Sequence, residues 1–168
     1  NIGAKKLPVR TSGDLEQVKA LIIPGGESTT VGLLLQREGL SEAIKERAVG
    51  GMPVWGTCMG LIMLACRIDN AYREQYSLQL LDVTVRRNAF GRQLQSFESF
   101  IHMPAVGDNP LRAIFIRAPA ITDVRGAEIL AEYENHIVAC RAGNILGTCF
   151  HPELTNDDRV HRYFLEML

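Results

Sequence analysis

The sequence has no long run of like charges. Its 18 Lys and Arg residues are matched by 19 Asp and Glu, for a formal net charge of −1. Neither sign gathers into the basic face that nucleic acid or an anionic membrane would call for, so both are excluded as expected partners. No internal repeat, low-complexity linker or shift in composition divides the chain, and its 168 residues predict one domain. At that length folding removes roughly 70% of the unfolded surface from water. A balance of 46% apolar and 22% charged residues gives no sign of disorder. No charged segment followed by an apolar one opens the chain, which points away from secretion and toward the cytoplasm. The four cysteines, Cys58, Cys66, Cys140 and Cys149, show no CxxC or Cys/His spacing, so no metal site is expected. Cys66, Cys140 and Cys149 lie in apolar runs and read as small, reduced, buried hydrophobes.

One stretch lacks charge altogether: "AVGGMPVWGTCMGLIMLAC", residues 48–66. Its length would suit a bilayer. Gly50, Gly51, Pro53, Gly56 and Gly60 interrupt any single helix, however, and the stretch reads as turn, buried strand, turn, buried helix. On its N-terminal side, residues 20–23 predict a buried strand running into the glycine turn of "PGGES". A helix carrying Leu33, Leu34 and Leu35 follows, then a second over about 41–48 with Ser41 as N-cap.

Beyond residue 80, "LLDVTVRR", "LRAIFIRAP", "AEILAEYE", "HIVACRAG" and "NILGTCF" predict strands, with a hairpin around Ala142 and Gly143. The chain closes on a helix whose start is signalled by Thr155 and Asp158, and which sets Val160, Tyr163, Phe164 and Met167 on one face. Alternating helices and strands followed by antiparallel strands predict an α/β fold. Its sheet is mainly parallel with an antiparallel extension and has helices on both faces.

Chemistry concentrates at "GTCMG", residues 56–60. Strand, G-x-nucleophile-x-G, helix is the pattern of a nucleophile elbow, in which small flanking residues allow a sharp turn and the reactive side chain projects at the carboxyl edge of the sheet. Cys58 would occupy that position. The amides that open the next helix would face it, and the Met59 N–H would point where an oxyanion forms. A structural cysteine in a tight turn would give the same five letters.

A base is needed to separate the two readings. His161 in the last helix and His136 before a strand read as surface or boundary residues, and His102 has no acidic neighbour arranged beside it. His151 ends a strand and opens "HPE", and Glu153 could turn back to fix its tautomer, making a Cys58, His151, Glu153 triad. The alternative is a turn histidine beside a surface glutamate. Gly25 and Gly26 permit the peptide orientations an oxyanion site requires, whereas Glu27 and Ser28 would also suit a plain helix start.

Taken together, "IIPGGESTT" at 22–30, "GTCMG" at 56–60, "RRNAFGRQ" at 86–93 with "SFE" after it, "FIRAP" at 115–119 and "FHPELT" at 150–155 resemble a known family. It is that of the class I glutamine amidotransferases and, within them, the glutaminase subunits of pyridoxal 5'-phosphate synthase. The resemblance runs over essentially the whole chain. It implies a flavodoxin-like three-layer sandwich and hydrolysis of L-glutamine to glutamate and ammonia, with Cys58 as nucleophile, His151 as acid and base, and Glu153 as its orienter. Gly25, Gly26 and Met59 would hold the oxyanion, and Gly26, Glu27, Ser28, Arg87, Ile116 and Arg117 the glutamine. Either arginine would otherwise read as a strand-end surface charge. The implied partner is a synthase subunit, a (β/α)₈ barrel forming a ring, whose docking orders the oxyanion loop. No resident cofactor is implied, since pyridoxal phosphate would be the product of the complex.

The chain departs from the family at its start. It opens "NIGAKKLPVRTSGDL", where members have a first strand and most of a helix, so an N-terminally incomplete domain is expected, with strand edges left unpaired. Met59 stands where alanine is frequent, and Gln79 where glycine is. Two other readings remain open on sequence: a partner-independent cysteine hydrolase or deglycase of the related superfamily, and a catalytically silent docking subunit.

Overall fold

The computed structural model describes residues 2–71, 75–90 and 96–168. The final part of the motif at 86–93, residues 91–93, lies outside the described residues.

Helix α1 (Ser12–Glu16) starts on a capping box, in which the Thr11 hydroxyl accepts from the Asp14 N–H at 3.2 Å and the Asp14 carboxylate accepts from the Thr11 N–H at 3.0 Å. Strand β1 (Leu21–Ile23) leads through the glycine turn into α2 (Ser28–Arg37) and then α3 (Leu40–Val49). Next come β2 (Val54–Thr57) and α4 (Met59–Leu64), every residue of both buried, and β3 (Ala65–Asp69) follows with no loop between. The uncharged stretch is thus turn, strand, turn and helix. Among the described residues no helix is long and apolar enough to cross a membrane.

Strands β4 (Leu81–Arg86), β5 (Ser96–Ile101), β6 (Leu111–Ile116), β7 (Ala120–Val124), β8 (Glu128–Tyr133), β9 (His136–Ala142) and β10 (Ile145–Thr148) supply the β-rich half, and α5 (Arg159–Leu165) ends the chain. The main sheet has the order β1-β2-β10-β9-β7-β4-β3, with β8 on β9, while β5 and β6 form a separate hairpin. Ladders β1·β2, β2·β10 and β3·β4 are parallel. The β10·β9, β9·β7, β7·β4 and β8·β9 ladders are antiparallel, so the antiparallel extension is as large as the parallel part. The expected hairpin joins β9 to β10, with Ile145 opposite Ala142.

Alternation along β2 sets the layers, because successive side chains leave opposite faces. Trp55 meets Phe164 and His161 of α5 at ring separations of 5.5 and 5.1 Å, and its indole N–H donates to the Thr148 hydroxyl at 3.1 Å. Gly56, its neighbour, lies against Gly60 of α4. Helices α5 and α4 therefore cover opposite faces, as the α/β pattern predicts. Val160 and Phe164 are buried and Tyr163 and Met167 pack on the core, as the 3.6-residue period requires.

Three local expectations are corrected. Ser41 is not the cap of α3. Gly39, at φ +68, reverses the chain between α2 and α3 and occupies the cap position, leaving Ser41 buried inside the helix. Thr155 does not start α5; its hydroxyl donates to the Pro152 carbonyl at 3.0 Å and accepts from the Asp157 N–H at 3.2 Å, closing the turn after His151. Helix α5 begins at Arg159, where Asp158 is the N-cap without a side-chain bond and pairs with Arg162 instead. Finally, β1 is buried only at Leu21 and Ile23. Ile22 is 43% exposed, because the strand ends the sheet order and has one described ladder.

Candidate active site

The turn between β2 and α4 falls on one residue. Cys58 has φ 51 and ψ −104, a backbone state that costs a residue with a side chain about 1–3 kcal/mol and persists only where the surroundings enforce it. They do so here: the Cys58 N–H donates to the Thr148 carbonyl at 2.8 Å, which ties the corner to β10. The flanking glycines serve a purpose that the sequence pattern did not assign them. Cys58 makes the sharp turn, while Gly56 and Gly60 let the first turn of α4 press on β2 and β1. A methyl group at Gly60 would overlap the Ile23 carbonyl oxygen, and one at Gly56 would overlap the backbone of Gly60. The Cys58 thiol projects toward the end of β6, with Sγ 3.7 Å from the Ile116 carbonyl oxygen.

His151 reaches the corner from β10. Its N–H donates to the Ile114 carbonyl at 2.8 Å, and the 3₁₀ turn Pro152–Leu154 folds Glu153 back beneath the ring. Nδ1 then lies 2.7 Å from the Glu153 carboxylate and donates to it, so Nε2 is the nitrogen left for the thiol. Nε2 is buried and has no directed hydrogen bond among the described residues. The Cys58 sulfur nevertheless stands close enough to be the largest influence on the ring. With the Glu153 carboxylate second and burial opposing both, it pushes the His151 pKa up from 6.5 to about 9. At Glu153, burial acts to raise the carboxyl, but the bonds from His151 and from its own backbone N–H outweigh it and the pKa is lowered.

A folded-state pKa above the unfolded value means that His151 contributes stability in full below pH 6.5 and loses it as pH rises through about 9. Imidazole NMR is expected to show His151 titrating near pH 9 in the native protein. In Cys58→Ala, which lacks the larger cause, the midpoint moves down toward 6.5 and the loss of stability moves to lower pH with it. An unchanged midpoint would mean the two side chains are not coupled.

A cavity of about 330 Å³ opens above this pair. Of the residues expected to serve the site, Gly26, Glu27, Ser28, Cys58, Met59, Arg87, Ile116, Arg117 and His151 all line it. Gly25 and Glu153 stand behind the imidazole. A methyl group at Gly25 would be 2.5 Å from His151 Cε1, so this loop meets the ring at its Cε1 edge, and one at Gly26 would be 3.3 Å from the end of the Met59 side chain. The Glu27 side chain does what a helix start asks. Its carboxylate accepts from the N–H groups of Thr29 and Thr30 at 3.0 and 2.8 Å and from the Thr30 hydroxyl at 2.7 Å, chiefly the last residue's bonds lowering its pKa to about 2.

Two lining residues escaped the sequence reading, Ile62 and Asn88. Ile62, four residues after Cys58 on α4, looked like core. Asn88 carried a signal: asparagine is among the few side chains at home in the left-handed region, and Asn88 has φ 49. Arg117, at φ 44, is a third left-handed non-glycine residue on the cavity with Cys58 and Asn88. Of the other histidines, His161 packs on Trp55 and His136 on Phe90. All four cysteines are free; burial pushes Cys140 up to about 12 and raises Cys149 and Cys66 too, as suits unreactive thiols. Cys140 and Cys149 are buried as expected, whereas Cys66 is half-buried.

A layered α/β sheet with a cysteine at a strained strand-to-helix corner, facing an imidazole backed by a carboxylate, defines a protein of the class I glutamine amidotransferase kind. The chain belongs to the SNO glutamine amidotransferase family, which it matches over residues 1–168. It is 54% identical to the pyridoxal 5'-phosphate synthase subunit PdxT of Roseiflexus sp. (strain RS-1), over 99% of this chain and 89% of that protein. To the protein of the same name from Thermotoga maritima it is 51% identical, over 99% and 88%. A solved glutamine amidotransferase superposes with a TM-score of 0.93 at 43% identity, covering 99% of this chain and 87% of that one. PurLQS from Thermotoga maritima, at 17% identity and a TM-score of 0.64 over 88% of this chain and 79% of that one, shares the fold.

Proposed function

We propose that this chain is the glutaminase subunit of a pyridoxal 5'-phosphate synthase. It hydrolyses L-glutamine to L-glutamate and ammonia, and the ammonia passes to a synthase subunit, a (β/α)₈ barrel assembled as a ring, that builds the cofactor. Residues 1–168 act as one domain, working in the cytoplasm, where its free thiols stay reduced. The observation that carries the reading is the single cavity on which Cys58, His151, the Gly26 to Ser28 loop and two arginines open together.

Cys58 Sγ attacks the carbon of the side-chain amide once its proton has passed to His151 Nε2. The oxyanion so formed is held by the Met59 N–H and the Gly25 to Gly26 loop. The tetrahedral adduct collapses as His151 returns its proton to the departing nitrogen, releasing ammonia and leaving a γ-glutamyl thioester on Cys58. Water then adds to the thioester carbonyl and gives a proton to His151; the Cys58–carbon bond breaks, glutamate leaves, and the proton held on His151 returns the pair to its starting state. A His151 pKa near 9 keeps the imidazole charged at neutral pH, the state that supplies the proton to the nitrogen. Glu153 holds the ring with Nε2 toward the sulfur. The guanidinium groups of Arg87 and Arg117 suit the α-carboxylate of a free amino acid.

The test is ammonia release from L-glutamine by the chain alone and with the synthase subunit. Release is expected to depend on the partner and to fall by at least about 10³-fold in Cys58→Ala. Release without the partner, or from unrelated amides, would favour a general cysteine hydrolase. Docking without release in either condition would show a silent subunit.

A further inference from the structure

Strands β3 and β4 pair in parallel up to Asp69 opposite Arg86. There the Asp69 carboxylate is held from two sides, by Arg86 at 3.6 Å and by the Thr122 hydroxyl of β7 at 3.3 Å. The next rung would join Asn70 to Arg87. Asn70 instead turns away with φ 57, so its backbone cannot form that rung. Its side chain forms it. Oδ1 accepts from the Arg87 N–H at 3.1 Å, and Nδ2 donates to the Arg87 carbonyl at 3.2 Å. A carboxamide carries the same donor and acceptor as a peptide group, and here it extends the ladder by one residue at the point where the chain enters the cavity. Immediately beyond lies Asn88, left-handed and on the cavity wall. The Arg87 side chain has a hold of its own, with Nη1 donating to Gln75 Oε1 at 2.7 Å.

We propose that Asn70 is a positioning residue for glutamine: by pairing with the main chain of Arg87 it fixes where that guanidinium stands over the cavity. Asn70 touches no substrate and acts through Arg87. Both groups of one amide are needed, which no shorter or charged side chain supplies. The inference rests on reading Arg87 as a contact for the glutamine carboxylate.

The test uses Asn70→Gly in the complex with the synthase subunit. Glycine accepts the left-handed backbone of residue 70 without strain, so the substitution removes the carboxamide alone, whereas alanine would add strain to the loss. KM for L-glutamine is expected to rise about five- to tenfold, the scale of one or two lost hydrogen bonds, with kcat changed less than about twofold. In an Arg87→Ala background the same substitution is expected to move KM by less than about twofold, because the group it positions is gone. A purely structural role would move both backgrounds equally, and that outcome, or no shift in the native background, overturns the assignment. Protection of Cys58 from alkylation by L-glutamine provides a second readout. If the native complex shows neither ammonia release nor protection, the glutaminase reading falls and this inference falls with it. If the native complex shows both and Asn70→Gly matches it, only the role of Asn70 is lost.

Discussion

Gly60→Ala is expected to lower the stability of the protein by about 3 kcal/mol or more, a large share of the total that holds a domain of this size. Residue 60 is in the first turn of α4, and its Cα rests on the Ile23 carbonyl of β1. An added methyl group would overlap that oxygen. No flexible side chain is available to move aside, so relief requires α4 to lift from the sheet. That helix is buried along its whole length and carries the residues that follow Cys58, so lifting it also disturbs the corner. Chemical denaturation is the measurement, with Gly13→Ala as control. A methyl group at Gly13 meets only the Thr11 hydroxyl, at an ordinary 3.8 Å, and should cost little. A Gly60→Ala protein within 1 kcal/mol of the native one, on the order of a single surface change, would mean the contact between α4 and β1 is not that tight.

The same corner shows why the site was largely legible in the sequence. Cys58, His151 and Glu153 each sit in a local pattern that carries its own geometry. Cys58 lies between a buried strand and a buried helix, and His151 lies at a strand end whose following proline starts the turn that returns Glu153 to Nδ1. The local turns at these positions span two or three residues, and short-range chemistry is what a sequence displays, although bonds to the Thr148 and Ile114 carbonyls hold the turns in place. Asn70 and Ile62 gave no such sign. The partner of Asn70 is the main chain of a residue seventeen positions away, and only strand pairing brings the two together.

The misplaced helix starts have a common cause. Ser41 and Thr155 are both good caps by residue type, yet the chain used Gly39 at one site and spent the Thr155 hydroxyl on closing a turn at the other. A polar residue before a helical run offers several local bonds of similar worth, and the tertiary path selects among them. Glu27 shows the converse. Its carboxylate meets the cap reading, and the residue also lines the cavity.

Gly25→Ala is expected to reduce kcat for glutamine hydrolysis by about 10²-fold while leaving the protein folded, since a displacement near 1 Å at a reacting group has that effect. The new methyl group would be 2.5 Å from His151 Cε1, with the two ring nitrogens at 3.3 and 3.5 Å. Unlike the flexible Met59 end that faces Gly26, the imidazole is buried and tied to Glu153, so one of two bodies must yield. If the ring yields, the bond to Glu153 opens and the His151 pKa drops from about 9 toward 6.5, which an NMR titration reads directly. If the loop yields, the pKa holds, and the loss comes from peptides no longer placed to support the oxyanion. Both routes lower kcat, and the titration tells them apart. Gly26→Ala, whose methyl group meets only that flexible end at 3.3 Å, should lose less. Activity within threefold of the native enzyme in Gly25→Ala, where roughly 10² is expected, would show that the contact between the glycine loop and the imidazole has no part in the reaction, and would remove Gly25 from the oxyanion site.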